Sequence, residues 1–226
     1  MSLDPAAALD AAGREKLEIV LGLLAEERAS VSSVVDRRAW QVHVLDSLTG
    51  LEVAELRGAR RVADVGSGAG FPGLALAVAL PQARVDLIES VGRKCEFMRR
   101  AAEAAAIDNV TVLNARSEDL GGGEGRESYD AVTARAVGRL STLAELASPL
   151  LVPEGVLVAW KGKRDEDEER QLASAADALA MTPEAILDVG DRAGSEHRHL
   201  HVIRKSGATP ENLPRRPGMA KKRPKG

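Results

Sequence analysis

From Arg60 onward, short apolar runs alternate with stretches in which apolar residues recur at helical spacing. The apolar runs predict strands at 61–65, 85–89, 110–114, 129–134, 155–160, 185–189 and 199–204. The stretches between them predict helices at 71–80, 91–106, 139–151 and 165–180. Because strands that alternate with helices form mostly parallel sheets with right-handed crossovers, we expect an α/β, Rossmann-like fold with a mostly parallel seven-stranded sheet.

The first 57 residues carry a purely helical pattern. Apolar residues recur at three- and four-residue spacing, at Leu17, Val20, Leu21 and Leu24 and then at Trp40, Val44, Leu45 and Leu48. The second of these predicted helices begins near Asp36. No Gly- or Pro-rich linker separates this segment from the strands that follow. We therefore expect residues 1–57 to form an N-terminal helical cap on a core of residues 58–205.

The end of the chain differs from the rest in charge. The whole chain has a net charge of −3, yet the segment from Arg204 to Gly226 holds eight Lys or Arg residues and one acidic residue. Because this segment is also rich in Pro and Gly, residues 206–226 are predicted to be a basic, flexible tail. Such a tail suits contact with nucleic-acid phosphates through Lys221, Lys222 and Arg223. A purely solubilising terminus is the alternative.

Composition narrows the class of protein. Hydrophobic residues make up 44% and charged residues 29%, as in an ordinary globular domain. No apolar run approaches the roughly 18 residues that cross a bilayer, and the N-terminus lacks the pattern of a secretory signal. The single cysteine, Cys95, excludes an internal disulfide. We expect a cytoplasmic protein with no membrane partner, and nothing in the sequence requires more than a monomer.

The candidate chemistry begins where the first predicted strand ends, in the segment Asp64-Val65-Gly66-Ser67-Gly68-Ala69-Gly70. Glycines allow a tight turn and a close ligand, and α/β sheets bind ligands at this crevice. A literal Gly-x-Gly-x-x-Gly, which suits a dinucleotide, is also present at 68–73. The carboxylate of Asp64 argues against it, because it would repel a pyrophosphate and attract a cationic sulfonium or ammonium group. The glycines also follow Asp64 in the arrangement Asp-x-Gly-x-Gly-x-Gly, which is typical of methyltransferases. Charge and spacing together favour S-adenosylmethionine as cofactor, with Asp64, Gly66, Gly68 and Gly70 in the pocket.

Acidic residues also stand near the ends of the next two predicted strands. Glu89 ends the second strand, where a carboxylate accepts hydrogen bonds from both ribose hydroxyls of either cofactor. The third strand runs into residues 114–119, which include Ser117 and Glu118. An acid or a backbone group there is placed to meet an adenine amine, and an exposed turn is an equal alternative.

Five segments of the chain form a distinctive combination. They are the glycine segment continued by Phe71-Pro72-Gly73, and residues 43–48, 133–136, 160–163 and 198–203. This combination resembles the bacterial RsmG family, also called GidB, over about residues 29–205. The resemblance implies a class I S-adenosylmethionine-dependent methyltransferase that methylates N7 of guanine 527 in the 16S rRNA of the small ribosomal subunit. By position it also implies cofactor contacts at Gly66, Phe71, Ser117, Glu118 and Arg135.

The implied reaction sets modest demands on the protein. Guanine N7 carries an in-plane lone pair and no proton, so its methylation needs alignment and desolvation and no general base. One Arg or Lys can hold the neighbouring O6. Arg135 and Lys161 end two neighbouring predicted strands, and we expect them to be the catalytic, RNA-contacting residues. Cofactor contact is the alternative for Arg135, and an exposed strand end is the alternative for Lys161.

Two histidine patterns allow more than one interpretation. His43 shares a helix face with Asp46 and Ser47, which suits either RNA contact at the pocket mouth or packing hydrogen bonds. His197, His199 and His201 alternate along a predicted strand and so point to one side. No Cys or carboxylate pattern accompanies them, and we expect no metal site.

Other classes of function stay open at this point. One is a class I methyltransferase that acts on a protein or a small molecule. Another is a nicotinamide dehydrogenase that uses the literal glycine motif. A third is an RNA-binding module with a relict cofactor fold. Transfer of label from S-adenosylmethionine to rRNA distinguishes the rRNA enzyme from the first and third, and tight NADH binding would favour the second.

Overall fold

The computed structural model describes residues 5–27, 34, 38–190 and 197–226. The strands in these residues are β1 Arg61–Val65, β2 Arg84–Glu89, β3 Val110–Asn114, β4 Tyr129–Arg135, β5 Leu151–Lys161, β6 Met181–Asp188 and β7 His199–Lys205. They form one sheet in the order β3-β2-β1-β4-β5-β7-β6. Strands β1 to β5 are parallel to their neighbours among these five, whereas β7 runs antiparallel to β5 and β6. The predicted α/β class with a mostly parallel seven-stranded sheet is confirmed.

The α-helices of the described residues are α1 Ala11–Glu26, α2 Asp46–Leu48, α3 Ala54–Gly58, α4 Gly73–Ala79, α5 Gly92–Ala104, α6 Ser117–Gly121, α7 Leu140–Ala147, α8 Glu166–Leu179 and α9 Met219–Lys222. Helices α4 to α7 connect the parallel strands β1 to β5. Short turns of other helical types span Pro5–Ala8, Trp40–Leu45 and Thr49–Glu52. Each of the four helices predicted after Arg60 contains one of these elements. None of the helices in the described part of the chain is both long enough and apolar enough to cross a membrane.

Helices pack on both faces of the sheet. Successive side chains of a strand point to opposite faces, so each strand contributes to both cores. On one face, Val62 and Val85 pack with residues of α1, α4 and α5. On the other face, Ala63 and Val132 pack with residues of α7 and α8. Cores on both faces explain why the central strands read as nearly continuous apolar runs.

The N-terminal helical segment packs on the first of these faces. Leu17, Val20 and Leu24 of α1 are fully buried and share a core cluster with Leu74 of α4. The side chain of Asp10 caps α1 by accepting a hydrogen bond from the Gly13 N–H at 2.7 Å. The predicted start of the second helix near Asp36 lies outside the described residues, and the helical turns that follow begin at Trp40.

The C-terminal segment, for which the sequence predicts a flexible tail, has contacts with the core. Residues 206–226 fold back against α6 and α7 and include the short helix α9. Leu213 and Ala220 are each only 2% exposed. Burial of these two apolar side chains holds a segment whose overall composition is polar.

Candidate functional site

A cleft of about 230 Å³ opens at the carboxyl ends of β1, β2 and β3, where parallel α/β sheets bind ligands. Its lining comes from five parts of the chain: the end of β1, the end of β2, the start of α6, the region from the end of β4 into α7, and the C-terminal segment. The lining includes Gly66, Glu89, Ser117, Glu118, Val137, Thr142, Gly218, Ala220 and Lys221.

Gly66 forms the floor of this cleft directly after β1. Its φ is +69°, and a Cβ at this position would lie 2.7 Å from the Cγ2 atom of Val137. Its N–H donates to the carbonyl oxygen of Ile88 at 2.9 Å, which ties the turn to β2. A side chain at this position is therefore excluded both by conformation and by space.

Glu89 presents a positioned carboxylate to the same cleft. Its side chain is 7% exposed, and its two oxygens accept hydrogen bonds from the Gly68 N–H at 3.1 Å and the Val91 N–H at 2.9 Å. The ammonium of Lys94 lies 3.9 Å away. A carboxylate has about four lone-pair sites, so acceptor capacity is left for two further donors such as ribose hydroxyls.

Ser117 and Glu118 form the wall at the start of α6. Both are buried, and the Ser117 hydroxyl donates to Oε2 of Glu118 at 3.3 Å. The other carboxylate oxygen accepts a hydrogen bond from the backbone N–H of Gly218 at 2.7 Å. Glu118 is thus held in place from both sides.

Asp64 does not face the cleft, and its predicted attraction to a cationic ligand is corrected by the structure. Its side chain is fully buried, and its oxygens accept hydrogen bonds from the Gly73 N–H at 3.1 Å and the Thr133 hydroxyl at 3.0 Å. Burial raises the pKa of this carboxyl to about 6. Asp64 therefore braces the first turn of α4 against β1 and β4. A Cβ at Gly73 would lie 2.9 Å from Oδ2 of Asp64, so glycine is required there.

Phe71 and His43 lie against each other beside the glycine turn. Their ring centroids are 5.0 Å apart with an angle of 23° between the planes, and both side chains are buried. Nε2 of His43 lies 2.9 Å from the carbonyl oxygen of Val34. Burial lowers the pKa of His43. Neither ring lines the cleft, so the contacts predicted for Phe71 with the cofactor and for His43 with RNA are left without direct geometric support.

Arg135 lies at the end of β4 and is bound to the N-terminal segment. Its Nη1 atom donates to Oδ2 of Asp46 at 2.9 Å and to the carbonyl oxygen of Val42 at 2.8 Å. Nε of Arg198 lies 2.8 Å from the other oxygen of Asp46, without the alignment of a hydrogen bond. Asp46 is 1% exposed, so two guanidinium groups share one buried carboxylate. We call Asp46, Arg135 and Arg198 the arginine pair site.

Lys161 ends β5 next to β4, as predicted, but its ammonium is already paired. It lies 2.8 Å from Oε2 of Glu168 on α8 and donates to the carbonyl oxygen of Gly138 at 3.0 Å. The preceding residue, Trp160, is buried, and its indole N–H donates to the carbonyl oxygen of Asp46 at 2.8 Å. The sequence predicted Arg135 and Lys161 as one pair of site residues, but the structure gives them separate partners.

The histidine series on β7 shows no sign of metal binding. His201 is buried, while Nδ1 of His199 lies 3.1 Å from the carbonyl oxygen of Gly162. Across the described ranges, no group of three or more His, Cys, Asp or Glu side chains is arranged to hold a metal ion.

Comparisons with known proteins decide the family. A family model described as rRNA small subunit methyltransferase G matches residues 23–200. The chain belongs to the GidB family. A relative named ribosomal RNA small subunit methyltransferase G from Rubrobacter xylanophilus is 45% identical, and the match covers 80% of this chain and 71% of the relative. The protein of the same name from Bacillus subtilis is 34% identical, with 93% and 90% covered.

Solved structures of low identity share the fold. A SAM dependent methyltransferase from Aquifex aeolicus is 17% identical with a TM-score of 0.53, covering 75% of this chain and 94% of that one. The fibrillarin pre-rRNA processing protein of Methanococcus jannaschii is 14% identical with a TM-score of 0.53, covering 68% and 69%. The GidB chain therefore has the α/β architecture of class I methyltransferases.

Reasoning from sequence missed part of the cleft in this GidB chain. Gly218 and Ala220 lie about one hundred residues after the wall they complete, and no local pattern links them to Glu118. The one signal that the sequence offers for Ala220 is that a small apolar residue stands in a basic segment. The structure shows that this residue is buried.

Proposed function

We propose that this GidB family protein transfers a methyl group from S-adenosylmethionine to N7 of guanine 527 in 16S rRNA, in the cytoplasm and as a monomer. Relatives that match over most of their length carry the name ribosomal RNA small subunit methyltransferase G. The observation that carries the proposal is the cleft in which the Gly66 turn faces the buried, hydrogen-bonded carboxylate of Glu89. The target base follows from the family resemblance.

The residues of the cleft fit an adenosyl group. Gly66 lets the ligand approach the backbone closely, Glu89 has acceptor capacity left for ribose hydroxyls, and Glu118 has a fixed carboxylate for an adenine amine. The bound cofactor supplies an activated methyl group. Asp64 supports the site indirectly, because it fixes the start of α4 through Gly73.

The substrate side of the proposal rests on charge. In the arginine pair site, two guanidinium groups lie at the Asp46 carboxylate next to the His43 and Phe71 rings, and the buried Asp64 carboxylate also attracts Arg135. We expect Arg135 to position the guanine through its electron-rich O6 edge. Since N7 has no proton to lose, alignment and exclusion of water are sufficient for the reaction. Lys161 lies apart from this site, paired with Glu168 on α8, and its contact with RNA stays a prediction.

A direct assay tests the proposed function. The full chain is given S-adenosylmethionine labelled in the methyl group, together with small ribosomal subunits or free 16S rRNA that lack the modification. We expect label in the RNA and chain cleavage at guanine 527 after borohydride and aniline treatment, to which N7-methylguanine is sensitive. Label in protein or small molecules alone would contradict the proposal, and tight NADH binding would favour a dehydrogenase.

Gly66→Asp tests the position of the cofactor. The new side chain meets Val137, requires a strained backbone and adds a charge where the ligand approaches. We expect calorimetry to show no measurable binding of S-adenosylhomocysteine. Gly58→Asp is the matched control, because a side chain at Gly58 enters open space. Unchanged affinity of a folded Gly66→Asp protein would show that the cofactor binds elsewhere.

A further inference from the structure

The segment after β7 is attached to the domain at several points. Lys205 is fully buried, and its ammonium donates to the carbonyl oxygens of Ser148 at 2.7 Å and Leu151 at 2.8 Å and to Glu127 at 3.0 Å. Both the N–H and the hydroxyl of Thr209 donate to the same Glu127 oxygen at 2.7 Å. These contacts fix the path of the chain as it leaves the sheet. We call residues 209–223 the C-terminal strap.

The middle of the strap is held by a two-pronged ion pair. Nε and Nη2 of Arg215 donate to the two oxygens of Glu145 on α7, each at 2.5 Å. Glu145 is 2% exposed, so its charge depends on this partner. Nη2 of Arg215 also donates to the carbonyl oxygen of Arg223 at 2.7 Å, which closes the strap into a loop. Leu213 packs in the core beneath it.

The end of the strap reaches the cleft. The Gly218 N–H donates to Glu118, and the carbonyl oxygen of Ala220 accepts a hydrogen bond from the Thr142 hydroxyl at 3.2 Å. Gly218, Ala220 and Lys221 line the cleft together with Glu89 and Ser117. The strap therefore supplies one wall of the space and holds a carboxylate on another wall.

We propose that the C-terminal strap is part of the cofactor site and is needed for tight binding of the adenosyl group. Its backbone at Gly218 positions the Glu118 carboxylate, and Gly218 and Ala220 separate the adenine end of the ligand from water. The inference rests on the proposed function for the identity of the ligand. The same segment carries Lys221, Lys222 and Arg223, which are exposed, so it also places cations at the rim of the cleft.

Two variants test the strap without removing its first anchor. A chain ending at Leu213 keeps the Thr209 contacts and the buried leucine, and Arg215→Ala breaks the ion pair with Glu145. We expect calorimetry with S-adenosylhomocysteine, in the absence of RNA, to show about tenfold weaker binding for the shortened chain, or about 1.4 kcal/mol. A smaller loss is expected for Arg215→Ala. Arg164→Ala is the matched control, because it breaks an equally two-pronged but exposed pair with Glu169.

A measurement on the unaltered chain keeps the inference falsifiable if both variants fail to fold. Hydrogen exchange with and without S-adenosylhomocysteine is expected to show slower exchange of amides 214–223 in the complex. Folded variants with full affinity, or strap amides that the ligand leaves unprotected, would overturn the inference. Failure of the unaltered chain to bind S-adenosylhomocysteine would instead contradict the proposed function. A strap that serves RNA alone would change only RNA affinity and its dependence on salt.

Discussion

Two segments outside the α/β core are joined to it through buried carboxylates, and the two junctions differ in their charge balance. At the arginine pair site, Asp46 of the N-terminal segment is shared by Arg135 and Arg198. At the strap, Glu145 of the core is matched by Arg215 in a two-pronged pair. At the first junction, one oxygen of Asp46 has no hydrogen bond within the described residues, whereas at the second both oxygens of Glu145 are hydrogen-bonded.

The pKa directions of the arginines follow the same difference. Burial lowers the pKa of Arg135, whereas hydrogen bonds to Glu145 raise the pKa of Arg215. A complete pair is what an anchor needs, because it leaves no buried charge uncompensated. At Arg135 the cost of burial outweighs the attraction of Asp46 and Asp64, and a perturbed charged group of this kind is a candidate for substrate contact. The comparison therefore fits an anchoring strap junction, and substrate contact at Arg135 stays a proposal.

Removal of the two carboxylates is expected to have the largest effect. Asp46→Asn removes the buried carboxylate that two guanidinium groups share, and we expect a loss of about 3–5 kcal/mol in the free energy of unfolding. Glu145→Gln is expected to cost about 2 kcal/mol, because the side chain of Arg215 is more exposed than that of Arg135 and can turn to water. Urea unfolding of both variants measures the difference. Equal losses would contradict the distinction between the two junctions.

Replacement of Arg135 tests the proposed reception of substrate. For Arg135→Met, we expect methyl transfer to small subunits to fall about a hundredfold, since the guanine is no longer held in line. Binding of S-adenosylhomocysteine is expected to stay unchanged. The opposite result, weak cofactor binding with matching loss of activity, would favour the alternative that Arg135 contacts the cofactor. Arg164→Ala again serves as a control that leaves both properties unchanged.

Local patterns were sufficient to predict most of the fold. Strands β1 and β2 are buried along most of their length and appeared as apolar runs, with bounds within one residue of those observed. The bounds of β3, at the edge of the sheet, were also predicted, because its apolar residues alternate with polar ones. The errors lie at the first residues of two later strands. Strand β5 begins at Leu151 rather than 155, because Pro153 and Gly155 resemble a turn, and the mostly exposed β6 begins at Met181 rather than 185.

The candidate site was predictable only where its residues follow strands directly. Gly66 and Glu89 both line the cleft, because the carboxyl ends of parallel strands meet at one edge; their contact with a cofactor stays a prediction. The partners of Asp64 and Lys161 depend on which helix packs over them, which no spacing encodes. The contacts of the strap were not predictable for a related reason, because they are made with Glu145 and Glu118, at least 70 residues away in the chain.

The smallest expected difference between the two junctions is their response to acid. Burial lowers the pKa of His43 below its ordinary 6.5, so the unfolded chain takes up this proton before the folded chain does. The contribution of neutral His43 is therefore complete above pH 6.5 and is lost as the pH falls. At the strap, hydrogen bonds from the Thr209 N–H and hydroxyl, together with Lys205, lower the pKa of Glu127 to about 2. That contribution is complete above pH 4.5 and is lost only as the pH falls towards 2.

Urea unfolding between about pH 7.5 and pH 5 separates these contributions. We expect the unaltered chain to lose more stability over this interval than His43→Gln, while Glu127→Gln follows the unaltered chain. Burial also lowers the pKa of His201 and raises that of Asp64, but both residues are present in every variant and cancel in the difference. A His43→Gln protein with the full loss would show that the N-terminal junction is no more sensitive to mild acid than the strap. The acid response would then have to arise elsewhere, with His201 the first residue to replace.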